Sequence, residues 1–165
     1  MPSATFRTLT TITVFLLTVS ASQGQKASES APPAAAPVPP QILSAKRVFV
    51  ANSSGNNDVR IAKYVGGPNG IYNQFYADLQ ASGRFELVSS PAESDLALDV
   101  TIVPFPIAPS YPGFRLSILD PKTNVLLWAI TEPVDPAFLA KTARKNIATS
   151  LGHLADDLTK LSTGK

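Results

Sequence analysis

The residues best suited to acid–base or metal chemistry are the single histidine, His153, and the adjacent acids Asp156 and Asp157. A metal site needs several His, Cys or carboxylate ligands that converge, and the chain has no cysteine. Neighbouring helical residues point about 100° apart, so the two carboxylates are not expected to share a proton or an ion. No Gly-x-Ser-x-Gly nucleophile elbow is present. The sequence therefore predicts no catalytic residue, metal or cofactor, and His153 is interpreted as a solvated helix residue.

A glycine-rich stretch, GGPNG from Gly66 to Gly70, precedes a predicted helix. Free N–H groups at a helix N-terminus bind anions, which makes Gly66, Gly67 and Asn69 candidate binding residues. The stretch lacks the lysine–serine pair of a P-loop and the spacing of a dinucleotide fingerprint, and Pro68 removes one donor. Two interpretations stay open: a flexible entry loop, or a phosphate-ligand site.

A second candidate for recognition is the predicted loop over residues 104–112, PFPIAPSYP. Proline restricts the chain before binding, which lowers the entropy lost on association, and aromatic side chains are frequent interface anchors. Phe105, Ile107 and Tyr111 are therefore candidate partner-binding residues. The alternative is that the two rings fold back and cap the sheet.

The elements that must position these residues centre on a predicted hairpin over Gly113–Val134. Its first arm alternates apolar and polar residues, the period of a strand with one buried face. Its second arm, Val125–Thr131, is apolar on both faces, which favours a more central strand or one covered by helix on one side and by chain on the other. This arm carries Trp128; if Trp128 is a core residue, its replacement by alanine should cost roughly 3–5 kcal/mol. Between the arms, Pro121 suits a type I turn, Asp120 can accept turn N–H groups, and Asn124 tolerates a left-handed conformation.

The remaining periodicities predict three more strands and two helices. The strands cover Lys46–Asn52, Phe85–Val88 and Leu96–Val103. One helix covers Ile71–Ser82 and ends at Gly83. The other runs from Pro136 or Ala140 to Leu161, with Asp135 as its N-cap. The predicted fold class is α+β: a mixed sheet of about five strands in the order βαββββα, with both helices on one face and the hairpin at the centre.

The first 40 residues predict export and a linker. Residues 1–24 resemble a signal peptide, with Arg7 before the apolar run Leu9–Val19 and small residues for cleavage; an uncleaved amphiphilic tail is the alternative. Residues 25–40, rich in Pro, Ala and Ser, are predicted to be a disordered linker. One domain is expected over 41–165.

Composition narrows the class of partner. The formal charge is +2, and removing Arg7 from the 14 basic residues leaves 13 against 12 acidic ones. This balance gives no support for a nucleic-acid or anionic-membrane partner. Without cysteine the domain has no disulfides, no thiol catalysis and no lipid attached through an N-terminal cysteine.

Three motifs make the chain resemble a known family. They are Gly83-Arg84-Phe85 at a helix end, Glu93-Ser94-Asp95-Leu96 before a strand, and the hairpin segment from Asp120 to Trp128. Together, over about Lys46–Leu161, they resemble the TolB N-terminal-domain-like secreted and lipoprotein domains of the bacterial envelope. The resemblance implies an envelope α+β domain that works by binding, and it transfers no catalytic residue. The chain departs from the family in lacking a β-propeller and a lipid-anchor cysteine, and in its segment 104–112.

The sequence therefore predicts an exported, periplasmic or secreted, non-enzymatic binding module of the bacterial cell envelope. Its partner would be another envelope protein or polymer, and it would have no membrane span after signal cleavage. The alternative function is a small hydrolase or phosphate-ligand-binding protein that uses the Gly66–Gly70 stretch.

Overall fold

The computed structural model describes residues 36–53, 64–105 and 108–164, and within strands it leaves out the side chains of residues 105 and 108–111. Within these ranges three helices and five strands follow one another, with a 3-10 turn at Pro91–Glu93. In chain order the elements are α1 (Pro40–Ser44), β1 (Arg47–Ala51), α2 (Gly70–Ser82), β2 (Glu86–Val88), β3 (Leu96–Phe105), β4 (Ala108–Leu119), β5 (Leu126–Pro133) and α3 (Ala140–Ser162).

The five strands form one mixed sheet in the order β2-β1-β3-β4-β5. β1 runs parallel to β2 and β3, whereas β3, β4 and β5 are successive antiparallel neighbours. The α+β prediction is confirmed. The hairpin of β4 and β5 is not at the centre, however: β3 is the middle strand, and β5 ends the sheet. Of the two interpretations of the apolar second arm, the central strand was wrong: β5 is an outer strand, and α3 packs against it.

The helices cover one face of this sheet, and the core lies between the two layers. Every second residue of β1, β3 and β4 points into that core, as the period of two requires, and α3 contributes the stripe that the sequence indicated. The fully buried side chains with the largest volumes are Phe75, Phe114, Ile42, Leu79, Leu96, Leu98, Leu116, Ile118, Leu151, Leu154, Leu158 and Val48. Trp128 is only partly buried against this cluster, because β5 is an outer strand. Trp128 therefore lies at the margin of the core, and the full cost expected of a core tryptophan does not apply to it.

Local turn chemistry follows the sequence closely. The Asp120 carboxylate accepts hydrogen bonds from the Lys122 backbone N–H at 2.9 Å and from the Thr123 hydroxyl at 2.7 Å, and Asn124 has φ of 56°. These hydrogen bonds lower the pKa of Asp120. Gly83 ends α2 with φ of 63°, in the left-handed region, as predicted.

The other two motifs of the family resemblance also have structural roles. The Asp95 carboxylate accepts the backbone N–H groups of Lys46 and Arg47, each at 2.9 Å, and these bonds lower the pKa of Asp95. The Arg84 guanidinium donates to the Ala45 carbonyl at 3.2 Å and to the Ser162 carbonyl at 3.4 Å. A cation placed at the carboxyl ends of α1 and α3 is favourable for both helix dipoles.

Two features differ from the prediction, the start of the domain and the N-cap of α3, whereas the start of α3 at Ala140 is one of the two predicted starts. Val38 already packs against the core and α1 begins at Pro40, so the described domain starts before Gln41. α3 begins at Ala140 with Leu139 as its N-cap, so Asp135 does not cap it. Its N-cap lacks a side-chain hydrogen bond, and this explains why no cap signal marks the true start.

The predicted loop over 104–112 is, in its described backbone, part of two strands. Pro104 pairs with Pro112 and Phe105 with Ala108, after a shift of register between the two positions. The prolines are tolerated there because that shift interrupts the regular ladder. Ile107 lies outside the described residues.

Within the described ranges, no helix is long and apolar enough to cross a membrane. The predicted signal peptide lies outside those ranges, as does the linker up to residue 35.

Candidate functional site

The sheet face opposite the helices is the largest functional candidate. Its residues are those that alternate with the buried ones, and every strand contributes. Strand register places Val88, Phe49, Ala97, Leu119 and Leu126 opposite one another in a single line across all five strands. We call this line the apolar row. Each of its members is at least partly exposed, and Leu126 is 47% exposed.

The contrast with the covered face shows what the apolar row lacks. Val48, Leu98 and Leu116 lie on the same strands one residue out of phase and have no exposed surface. In the part of the chain that the structure describes, no helix is placed over the apolar row. Beside Leu126, Val125 is 57% exposed. Exposed apolar surface that continues across a sheet is typical of interaction sites.

Polar residues border the apolar row on both sides. On one side Arg47 lies opposite Glu86. On the other, Asp99 lies opposite Ser117, and the Ser53 hydroxyl hydrogen bonds to Asp99. The next line along the strands holds Thr101, Arg115 and Thr131. Charges of both signs are therefore present, and the face has no single-sign field.

The Gly66–Gly70 stretch forms the turn that leads into α2. Gly66 and Gly67 have φ of 83° and 111°, which explains both glycines by conformation. A Cβ on Gly70 would lie 1.9 Å from the Val65 carbonyl oxygen, so a close backbone approach requires this third glycine. The Asn69 side chain accepts a hydrogen bond from the Asn52 amide at 3.3 Å and does not cap α2.

A cleft of about 280 Å³ adjoins this turn. Its polar lining residues are Tyr64, Gln74 and Arg144, and Gly70, Val65, Ile147 and Ala148 complete the lining. The Gln74 amide donates to Asp78 at 2.9 Å. The lining residues include a cation suited to an anionic ligand but no carboxylate or imidazole to serve as acid or base.

A cluster of ionisable groups connects β5 with α3. The Glu132 carboxylate lies 3.9 Å from Nδ1 of His153 and beside Asp157, whose carboxylate accepts from Lys160 at 2.8 Å. Burial, reinforced by Asp157, raises the pKa of Glu132. Lys160 holds the pKa of Asp157 below its ordinary value. His153 is exposed, as expected, and no three such groups among the described residues are arranged to hold a metal.

The structure describes only some of the predicted binding residues. Gly66, Gly67 and Asn69 lie beside the cleft at the start of α2. Phe105 is the last residue of β3, but its side chain, that of Tyr111 and the whole of Ile107 fall outside what the structure describes, so their role stays a prediction. The apolar row was missed, although its signal was in the sequence: the strand positions between the core residues are themselves apolar.

The sequence matches no protein-family model and no curated protein. Two solved structures of the PelC dodecamer from Paraburkholderia phytofirmans, one of a point variant, are similar at 17% identity and a TM-score of 0.40, over 66% of this chain and 86% of theirs. A Xanthomonas campestris protein of the family DUF330 is similar at 15% identity and a TM-score of 0.47, over 72% of this chain and 85% of its own. Similarity at these scores transfers no property of those proteins to this chain. None of these comparisons tests the resemblance to the TolB-like domains.

Proposed function

We propose that the chain is an exported, non-enzymatic binding module of the bacterial cell envelope that docks another envelope protein on the uncovered face of its sheet. The observation that carries the proposal is the apolar row across all five strands. In a sheet with one face on the core, the second face is ordinarily polar where it meets water. An apolar line there lowers solubility without adding to the core, which is understandable if a partner covers it.

The chemistry of the face favours a protein partner over a charged polymer. The apolar row itself carries no charge, and the flanking positions Arg47, Glu86, Asp99 and Arg115 are of mixed sign. A polyanion would require a field of one sign. An apolar strip with a polar rim is the usual anatomy of a protein–protein interface.

The export part of the proposal rests on residues 1–24, whose charge, apolar run and small residues have the pattern of a signal peptide. The resemblance to TolB-like domains supports the same location. Fractionation of cells that express the full chain, followed by N-terminal sequencing, tests this part. Recovery of the chain in the cytoplasm with Met1 retained would contradict it.

Photo-crosslinking in intact cells tests the binding face. A photoreactive residue in place of Leu119, within the apolar row, should give a discrete adduct with another protein. The matched control is the same probe in place of Gln80, an exposed position on α2, which should give none. Adducts from Gln80 alone, or from neither position, would refute the assignment of the face.

The cleft beside α2 supports a second candidate, a phosphate-type ligand. The specific observation is that Arg144 and the first residue of α2 line the same cavity. Titration with inorganic phosphate tests this candidate, with the NMR chemical shift of the Gly70 amide as the readout. The shift should change on titration of the wild type and should not change in Arg144→Gln. A response that persists in that variant would exclude the cleft. The lining residues do not support the hydrolase alternative.

A further inference from the structure

The two edges of the sheet differ in how they are protected. β2 ends one side and has only three residues, Glu86–Val88. Short edge strands limit pairing with other chains. β5 ends the other side with eight residues, Leu126–Pro133, and among the described residues no strand pairs with its outer side. Its outer N–H and C=O groups therefore form a template for another strand.

β5 also lacks the charges that usually discourage such pairing. Its sequence, LLWAITEP, contains one charged residue, Glu132. That carboxyl group lies toward α3, beside His153 and Asp157. A register shift at Leu127 and the missing N–H of Pro133 leave a regular stretch from Trp128 to Glu132. Lysine, the common guard of natural edges, is absent from this strand.

Large exposed apolar side chains lie near both ends of β5. At its start, Val125 and Leu126 are 57% and 47% exposed. After its end, Phe138 is 101% exposed and Leu139 is 70% exposed. These four are, with Leu43, the large exposed hydrophobic residues of the described chain. The two pairs therefore lie at opposite ends of one strand. A two-fold axis through the middle of β5 would bring the pair at the start of one copy toward the pair after the end of the other.

We propose that β5 is the contact between two copies of this chain, which pair antiparallel along Trp128–Glu132 and join their sheets into one of ten strands. With Ile130 near the axis, Ala129 of one copy lies opposite Thr131 of the other. The start of each β5, with Val125 and Leu126, then lies beside the partner segment that leads to Phe138. Each copy covers the exposed apolar residues of the other.

The available area fits a weak to moderate dimer. An aromatic side chain can bury roughly 150–250 Å², and Phe138 is wholly exposed. Together with Leu139, Val125 and Leu126 it offers on the order of 400–500 Å² of side-chain surface per copy, before the strand backbone is counted. Two copies therefore approach the total of about 1,000 Å² expected of a biological interface. Leu126 belongs to both the apolar row and this contact, but the backbone edge of β5, Phe138 and Leu139 lie outside the apolar row, so this inference does not depend on the proposed function.

The oligomeric state of the full-length chain, recovered from the exported fraction, tests the proposal. Light scattering and sedimentation equilibrium should show a monomer–dimer equilibrium at micromolar concentrations. Replacing Phe138 and Leu139 together by serine should raise the dimer Kd at least tenfold, because truncated apolar anchors dominate such losses. Leu43→Ser, at an exposed apolar position on α1, is the matched control and should leave the Kd unchanged.

Trapping the contact identifies the strand. Because the chain has no cysteine, Thr131→Cys gives a single thiol, and a short bifunctional thiol crosslinker that spans the two-residue offset between the copies should link them. Thr101→Cys, on the same face but on the middle strand, should not link. A chain that stays monomeric at 100-fold higher concentration would overturn the proposal. So would a dimer that is unaffected by the serine pair and cannot be linked at Thr131, or a monomer whose β5 pairs with a different protein.

Discussion

Replacing Asp95 by alanine should loosen the point at which β1 and β3 begin. The Asp95 carboxylate accepts two backbone hydrogen bonds, from Lys46 and Arg47, each at 2.9 Å. Asp95 also donates its own backbone N–H to the Arg47 carbonyl at 2.8 Å, and this bond survives the substitution. The variant therefore loses the side-chain bridge and keeps the strand pairing.

The size of the loss follows from the number of bonds and from their exposure. A hydrogen bond to a charged group contributes about 1.5–3 kcal/mol, and an ordinary one about 0.5–1.5 kcal/mol. Lys46 and Arg47 are exposed, so water can replace the carboxylate at both N–H groups. We therefore take the lower range and expect a total loss of about 1–2 kcal/mol for Asp95→Ala. For a domain of this size the melting temperature should fall by roughly 3–10 °C.

Urea unfolding of Asp95→Ala beside Glu93→Gln, an exposed neighbour, measures this loss. The pKa of Asp95 is lowered in the folded protein, so its contribution is present above its ordinary pKa, near 3.8. The contribution disappears as pH falls through the lowered value in the folded state. The difference between wild type and Asp95→Ala should thus be full at pH 7 and shrink in strong acid. Equal stability of wild type and Asp95→Ala at pH 7 would refute a stabilising role for the Asp95 hydrogen bonds.

Three further predictions concern the core, the turn before α2 and the cluster on β5. Leu116→Ala, in the core, should lower the free energy of unfolding by about 3–5 kcal/mol in chemical denaturation. Trp128→Ala, on the outer strand, should lower it less, by about 1–3 kcal/mol. The reverse order would place Trp128 in the core. Gly70→Ala should lower the melting temperature, since its Cβ would collide with the Val65 carbonyl oxygen, while Gly152→Ala, with open space around it, should not. Glu132→Gln should match or exceed wild-type stability at pH 7 and lose that advantage below the ordinary pKa of glutamate. The raised pKa of Glu132 means that folding disfavours its ionised form, and below that ordinary pKa the group is protonated in both the folded and the unfolded state.

Local features were the part of the fold most readable from sequence. The turn from Asp120 to Asn124 and the end of α2 at Gly83 each depend on a few neighbouring residues with narrow conformational preferences. Alternation fixed which face of β3 and β4 is buried. These signals need no knowledge of distant parts of the chain, and the structure confirms them.

Strand order was less accessible, because it depends on long-range pairing. The apolar second arm of the hairpin favoured a central strand, yet β5 lies at the edge with Trp128 half covered. The N-cap of α3 was misplaced for a related reason: Asp135 has the side chain of a cap, but the helix begins five residues later, at Ala140, the later of the two predicted starts. Tertiary packing, by α3 against β5, outweighed the local preference.

The candidate site was the least predictable part. Sequence reasoning favoured Gly66–Gly70 and 104–112, where unusual composition draws attention. The structure explains the glycines by backbone geometry and continues β3 and β4 into the second segment. The apolar row becomes visible only once the register places Phe49, Ala97 and Leu119 in one line.

The most direct test of binding through the uncovered face combines a probe and a change on that face. A photoreactive residue in place of Thr101, one line beyond the polar border, should yield an adduct with an envelope protein in intact cells. Adding Leu119→Glu within the apolar row should abolish that adduct while the melting temperature stays within a few degrees. An adduct that persists in the Leu119→Glu chain, or no adduct in either, would contradict the claim that the apolar row is the binding surface.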